Sequence, residues 1–404
     1  MHFDLHLRDQ VRRQIADLAT TMKDWEANPR LSPTDEQQIR DRLLAFAHCR
    51  ERPGLQIAGV DGSGDYPALS YADAFIYFSV AQGAVYAADA GCGLREVAPT
   101  PETVFHFTWL PGNEAENRAS LDQAFGSLAG LPLLDCIQQS DYRELKARHS
   151  RATTTPTELL EQLIRPHAAD AGNLGIQLRS AAELGAALRL LARDEALDYV
   201  LVDGTFALPF IGRRSTSLFY EHLKRLCCVR ARERGTGFLA LSKSHGLPGI
   251  ETLEALARER VGSEGPAEHW ALRLPVPGVD AWIFPLVEER LLPPPGAVTY
   301  LVRFHRNVPV LRLDLDRVFW EQRIQGRDEE ETRARERRLF EDLDYTGHDQ
   351  RCYGYPYPIK AGHDRASLTQ PERVALRKMI IDAAVAAGMK RSLFRSTSAA
   401  TGHE

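Results

Sequence analysis

Ile57-Ala58-Gly59-Val60-Asp61-Gly62-Ser63 and Val200-Leu201-Val202-Asp203-Gly204-Thr205 are the two stretches that decide how this 404-residue chain is read. In each, an apolar run too short for a helix delivers a carboxylate at its C-terminal end, followed by a glycine that lets the backbone turn away. Taken singly, Asp-Gly is a turn signal. Two copies at the ends of buried-type strands point to a site, because ligands of α/β sheets gather at strand ends. Carboxylates on neighbouring strands repel unless a cation lies between them, and all-oxygen surroundings suit Mg²⁺ or Mn²⁺.

A hard cation calls for a third carboxylate. Glu183 is the candidate, on the helix before the second strand, where Ala181, Ala182, Gly185, Ala186 and Ala187 are small enough to let that turn lie close to a sheet. A solvent-facing Glu is the plain alternative. The strand Phe238–Leu241 leads into Ser242-Lys243, which places a lysine at another strand end. The residue before Lys243 is serine rather than glycine and the spacing fails, which excludes a Walker-type ATP loop. Lys243 is read as a group that neutralises a phosphate or orients a water, against the alternative of a surface lysine. Near the C-terminus, Tyr353-Gly354-Tyr355-Pro356-Tyr357-Pro358-Ile359-Lys360 runs into His363. A histidine there can bind a metal, donate a proton or fill a structural niche.

Outward from these motifs, residues 1–50 form an N-terminal helical extension. Val11, Ile15, Leu18 and Met22 fall on one helical stripe expected to pack on the body or on a partner, and Ser32-Pro33 starts a second helix carrying Ile39, Leu43 and Phe46. Strands follow at Leu55–Val60, around Tyr71–Val80, and at Ala84–Ala88 after a turn at Gly83. Asn113 to about Leu197 reads as helical, and a helical insertion spans about 90–170. Strand–helix alternation then runs through Tyr199–Val202, Ser217–Arg232, Phe238–Leu241 and Glu251–Glu259. Two strands come next, at Thr299–Phe304 and Val310–Leu315, then an exposed helix at Arg327–Asp342 and a last helix at Pro371–Ala387. The fold class is α/β, a mixed sheet flanked by helices. The main domain covers 51–390 and a tail covers 391–404.

Composition is that of a globular protein, with 44% hydrophobic and 26% charged residues. No apolar run reaches membrane-spanning length, and Met1–Asp9 lacks the order of a signal peptide, so a cytoplasmic location and no membrane are expected. The six cysteines make no C-x-x-C pair and are read as free thiols, mostly in the core. A net charge of -5 argues against a protein that coats nucleic acid, although the basic run Lys224–Arg234 offers either a DNA contact or a solvated helix face.

In their order, these pieces resemble the NurA nucleases. The correspondence runs through Asp61-Gly62-Ser63, Glu183, Asp203-Gly204-Thr205 and Ser242-Lys243. It continues in Tyr300 to Phe304 with Arg312-Leu313-Asp314, and closes on Gly354-Tyr355-Pro356 with His363, over about residues 50–390. The resemblance implies an RNase H-like fold and a Mn²⁺-dependent site, with Mg²⁺ as the alternative ion. Asp61, Glu183, Asp203 and His363 would be metal ligands, and these four with Lys243 would form the catalytic set. It further implies 5'-3' exonuclease and single-strand endonuclease activity on DNA, a homodimer, and partnership with a HerA-type hexameric ATPase in DNA end resection and repair. The chain departs from the family in carrying Asp314, where Glu is common, and in the length of the 90–170 segment. The competing readings are an actin-like or sugar-kinase phosphotransferase, whose loops carry a residue between Asp and Gly that both copies here lack, and an inactive dimeric scaffold for an ATPase.

Overall fold

Alternation of side chains decides which helices cover which face of the sheet. The computed structural model describes residues 5–25, 31–48, 51–64, 67–72, 74–89, 93–111, 113–142, 171–206, 218–243, 250–261, 268–276, 280–285, 294, 296–349 and 351–395. Its strands form one twelve-stranded mixed sheet. They are β1 (Leu43–Ala45), β2 (Gln56–Ser63), β3 (Leu69–Tyr71), β4 (Ala74–Asp89), β5 (Gly93–Glu96) and β6 (Val104–Leu110), then β7 (Tyr199–Asp203), β8 (Gly237–Ser242), β9 (Trp270–Arg273), β10 (Ala297–Arg303), β11 (Leu311–Asp316) and β12 (Phe394–Arg395). The order is β1-β9-β10-β11-β8-β7-β2-β4-β3-β12, with β5 and β6 also paired to β4.

At its centre, β6-β4-β2-β7-β8 has β2 antiparallel to β4, β4 antiparallel to β6, and β2, β7 and β8 mutually parallel. This is the order and direction of an RNase H-like core. The helices are α1 (Leu5–Trp25), α2 (Pro33–Arg42), α3 (Glu114–Ala129), α4 (Leu133–Gln139) and α5 (Ala171–Leu191), then α6 (Leu218–Glu233), α7 (Ile250–Val261), α8 (Glu329–Gly347), α9 (Tyr357–Ala366) and α10 (Gln370–Ala386). Along β2 and β7, Ala58, Val60, Val200 and Val202 face a layer that contains Phe125 of α3, Ala181 and Leu184 of α5 and Leu226 of α6. Ile57 and Leu201 point the other way, onto Leu343 of α8 and Ile359 of α9. Beyond β11, Ile39, Leu43, Leu256, Trp270 and Leu301 close a third cluster at the sheet edge.

Several expectations need correction. Helix α2 stops at Arg42, and Leu43 enters β1 opposite Leu272, so Leu43 and Phe46 are not helical. Gly83 is no turn: β4 runs straight through it, and a Cβ there would stand 2.9 Å from Leu190 Cδ1 on α5. The first part of the 90–170 segment is not helical, since β5 and β6 extend the sheet; residues 143–170 lie outside the described residues. The Arg327–Asp342 segment is amphipathic rather than simply exposed, burying Thr332, Leu339 and Phe340. Phe394–Arg395, expected in a tail, pairs with β3. The stripe on α1 is uncovered, with Ile15, Leu18 and Met22 between 57% and 63% exposed. Among the described residues no helix is long and apolar enough to cross a membrane.

Candidate active site

Parallel pairing of β2 with β7 aligns Val60 with Val202, so Asp61 and Asp203 follow side by side at the two strand ends. By alternation both carboxylates belong to the face of Ile57 and Leu201, the side covered by α8 and α9. Burial first, and then the charge of Asp61, raise the pKa of Asp203; Lys243, Arg179 and His363 act in the opposite direction. The mutual repulsion read from the sequence is therefore a property of the folded site.

Glu183 arrives from the opposite layer. It is buried on α5, and its Oε1 lies 3.2 Å from Arg179 Nε, one turn earlier. It reaches the strand end because position 62 has no side chain. A Cβ on Gly62 would stand 2.9 Å from Glu183 Cγ and 2.8 Å from Val80 O. Gly62 thus does not turn the chain, which continues as strand to Ser63; it makes room for the third carboxylate. Gly204 does take a conformation that favours glycine, at φ 143°. Glu183 and Asp203 both line a cavity of about 170 Å³, together with Arg179, Ser180, Thr205 and Lys224. The carboxylate oxygens of Asp61, Glu183 and Asp203 do not all come within 4.8 Å of one another.

His363, on α9, places Nδ1 2.8 Å from Asp61 Oδ2, while Asp61 Oδ1 accepts from the Gly62 N–H at 2.6 Å. The other ring nitrogen of His363 lies 3.1 Å from Ser367 Oγ. In this arrangement the histidine orients a carboxylate. Lys243, just past β8, has Nζ 3.7 Å from Asp203 Oδ2 and 4.6 Å above the Tyr355 ring. All five residues singled out in the sequence are thus brought to one end of the sheet.

Two residues that entered the sequence reading only as parts of motifs, with no site role, also contribute. The buried Tyr355 hydroxyl lacks a well-formed hydrogen bond, yet lies in the field of Asp203 and Asp61; burial first, then those charges, push its pKa well above the usual tyrosine value. Gly354-Tyr355-Pro356 signalled it, since a glycine at φ 79° and a proline hold the ring in place. Asp314 is fully buried, accepting from Thr205 Oγ1 at 2.5 Å, Phe206 N at 2.7 Å and Thr299 Oγ1 at 2.6 Å. It fixes the chain beyond Asp203. The basic run proves largely internal. Lys224 donates to Phe206 O, and Arg225 and Arg232 both pair with Asp141 and Asp316. A solvated helix face does not describe those three residues, and Lys224 instead lines the cavity beside Glu183 and Asp203. Cys136, Cys227 and Cys228 are buried free thiols, and burial pushes Cys136 up to about 12; Cys49 and Cys92 lie outside the described residues.

Fold and site together define a mixed α/β protein of RNase H-like topology with acidic side chains gathered at the C-terminal ends of parallel strands. Among solved structures, the chain is similar to the NurA nuclease from Sulfolobus solfataricus, at 14% identity over 96% of this chain and 99% of that one, with a TM-score of 0.49. It is also similar to NurA with manganese (12%, 94% and 99%, 0.41) and to NurA bound to dAMP and manganese (12%, 96% and 98%, 0.38). No family model and no curated protein matches it.

Proposed function

We propose that this chain is a divalent-metal-dependent DNA nuclease, with Asp61, Glu183 and Asp203 as ligands and Mn²⁺ or Mg²⁺ as the ion. The observation that carries the reading is the juxtaposition of Asp61 and Asp203 on adjacent parallel strands, in mutual repulsion, with Glu183 reaching the same strand end. An all-oxygen donor set with this surplus of negative charge suits a hard cation. When bound, such an ion activates water and stabilises the leaving oxygen of a phosphodiester. His363, a metal ligand by the resemblance, has its Nδ1 on Asp61 Oδ2 and so serves in this proposal as the fourth site residue that orients Asp61 rather than as a ligand. Lys243 offers a positive charge, 60% exposed, to a phosphate beside Asp203. The Tyr355 hydroxyl stays protonated and is available as a donor toward the same carboxylates.

The resemblance in motif order supports the finer assignment: 5'-3' exonuclease and single-strand endonuclease activity, a homodimer, and a HerA-type hexameric ATPase that supplies translocation during DNA end processing. The test is cleavage of single- and double-stranded DNA with Mn²⁺, Mg²⁺ or chelator, using the wild-type chain, Asp61→Ala and Asp203→Ala. Each substitution is expected to lower cleavage by at least about a hundredfold while thermal melts show an intact fold, since even changes behind the ligands cost 10–100-fold. Cleavage at the parental rate by either folded variant refutes the metal-site assignment.

A further inference from the structure

A second group of metal-binding side chains lies where three distant segments meet. His48 follows β1, Asp344 and His348 stand one turn apart at the end of α8, and His269 immediately precedes β9. Asp344 is fully buried, and its two oxygens reach opposite ways: Oδ2 lies 2.8 Å from His48 Nδ1 and Oδ1 2.9 Å from His348 Nε2. The ligand atoms of His48, Asp344 and His348 fall within 4.8 Å of one another, and no other such group of three occurs among the described residues. The His48 and His348 rings are only 3.6 Å apart between centroids.

His269 stands beside these donors but outside the group within 4.8 Å, with its Nε2 also 3.8 Å from Glu268 Oε2. Its Nε2 is buried without a hydrogen-bond partner and lies 4.0 Å from Asp344 Oδ1. Its backbone sits at φ 56°, a region few residues other than glycine adopt. Its carbonyl accepts from the Phe46 N–H at 2.9 Å and its ring stacks on Phe46 at 5.8 Å. Burial lowers the His269 pKa, which favours the neutral imidazole that metals bind.

We propose that His48, Asp344 and His348, with His269 as the fourth donor, form a second, structural metal site selective for Zn²⁺. Imidazole donors with a single carboxylate suit Zn²⁺, whereas the oxygen-only set at the strand ends suits Mn²⁺ or Mg²⁺, so the two sites sort ions by donor type. The site staples the segment after β1 and the loop before β9 to the end of α8. It also supports the approach of Tyr355: Gly354 N donates to Gly347 O at 2.7 Å, and the His348 ring packs on Tyr353 at 5.1 Å. The inference stands independently of the nuclease reading.

The test uses the full-length chain carrying Asp61→Asn and Asp203→Asn, which disables the strand-end site. After chelation and dialysis against Zn²⁺, one retained equivalent is expected. Co²⁺ loaded in its place should give the visible bands of a four-coordinate nitrogen–oxygen site. Adding His48→Gln, at a partly exposed position, should weaken Zn²⁺ binding by at least about tenfold, given that loss of an outer partner alone costs 10–100-fold. No retained zinc, no such Co²⁺ bands, or binding unchanged by His48→Gln each overturns the proposal. If the double variant fails to fold, the Co²⁺ bands of the otherwise wild-type chain, and their loss on His48→Gln, decide the same question.

Discussion

Asp203 shows how a ligand side chain burdens the protein that carries it. Its pKa is raised by burial and by Asp61, so the folded chain holds this proton more tightly than the unfolded chain does. The destabilisation is absent well below the unfolded pKa of about 3.9, builds as pH rises from there to the raised folded value, and is complete above it. In chelator at pH 7, Asp203→Asn should therefore melt higher than wild type, by about 1–3 °C, with the gain shrinking as pH falls toward 4. Mn²⁺ should raise the melting temperature of the wild-type chain by mass action and leave the variant nearly unmoved. Scanning calorimetry across pH, with and without Mn²⁺, gives both readings. A variant that melts lower than wild type at neutral pH in chelator would show that the Asp61–Asp203 repulsion is not there.

Among elements, the meeting of β2 with α5 is the contact on which the third carboxylate depends. Gly62→Ala places a methyl against both Glu183 Cγ and Val80 O, so the helix turn must withdraw or the β2–β4 pairing must shift. The expected result is a folded protein weakened by about 1–3 kcal/mol, as for other overpacked sites. Its Mn²⁺ requirement for cleavage should rise by about tenfold or more. A metal titration that superimposes on wild type would remove Glu183 from the site. This junction also marks what could be read in the sequence. The strands that deliver Asp61, Asp203 and Lys243 were legible because short apolar runs ending in charged residues have few other uses. The same reasoning failed at Gly83, where glycine signals a turn by propensity but serves here to admit Leu190 against an unbroken strand. Leu43 and Phe46 kept helical spacing from Ile39, yet β1 pairs with β9, and that long-range ladder outweighs local periodicity. The partners β5, β9 and β12 are short and, like β6, are fixed by what they pair with, which a single sequence does not display.

At the scale of the whole molecule, two rows of large apolar side chains stand exposed among the described residues. One is the row Phe105, Phe107 and Trp109 on β6; the other is the α1 stripe of Ile15, Leu18 and Met22. Exposed apolar patches of this kind mark association sites more often than idle surface. For the β6 row, the proposed homodimer predicts a light-scattering mass near twice 45.2 kDa. The α1 stripe permits a sharper test, because its helical spacing fits burial against the chain's own core equally well, and the structure decides against that. Of residues 1–28, the described side chains 8–23 are exposed apart from the half-buried Val11, so removing the segment should shift stability by no more than about 0.5 kcal/mol. The shortened chain should melt as the full-length chain does and retain metal-dependent cleavage of single strands. In the proposed system, stimulation by the hexameric ATPase should be lost while basal cleavage remains. An insoluble or cold-melting product would return the stripe to the core, and undiminished stimulation would place the partner's contact elsewhere on the molecule.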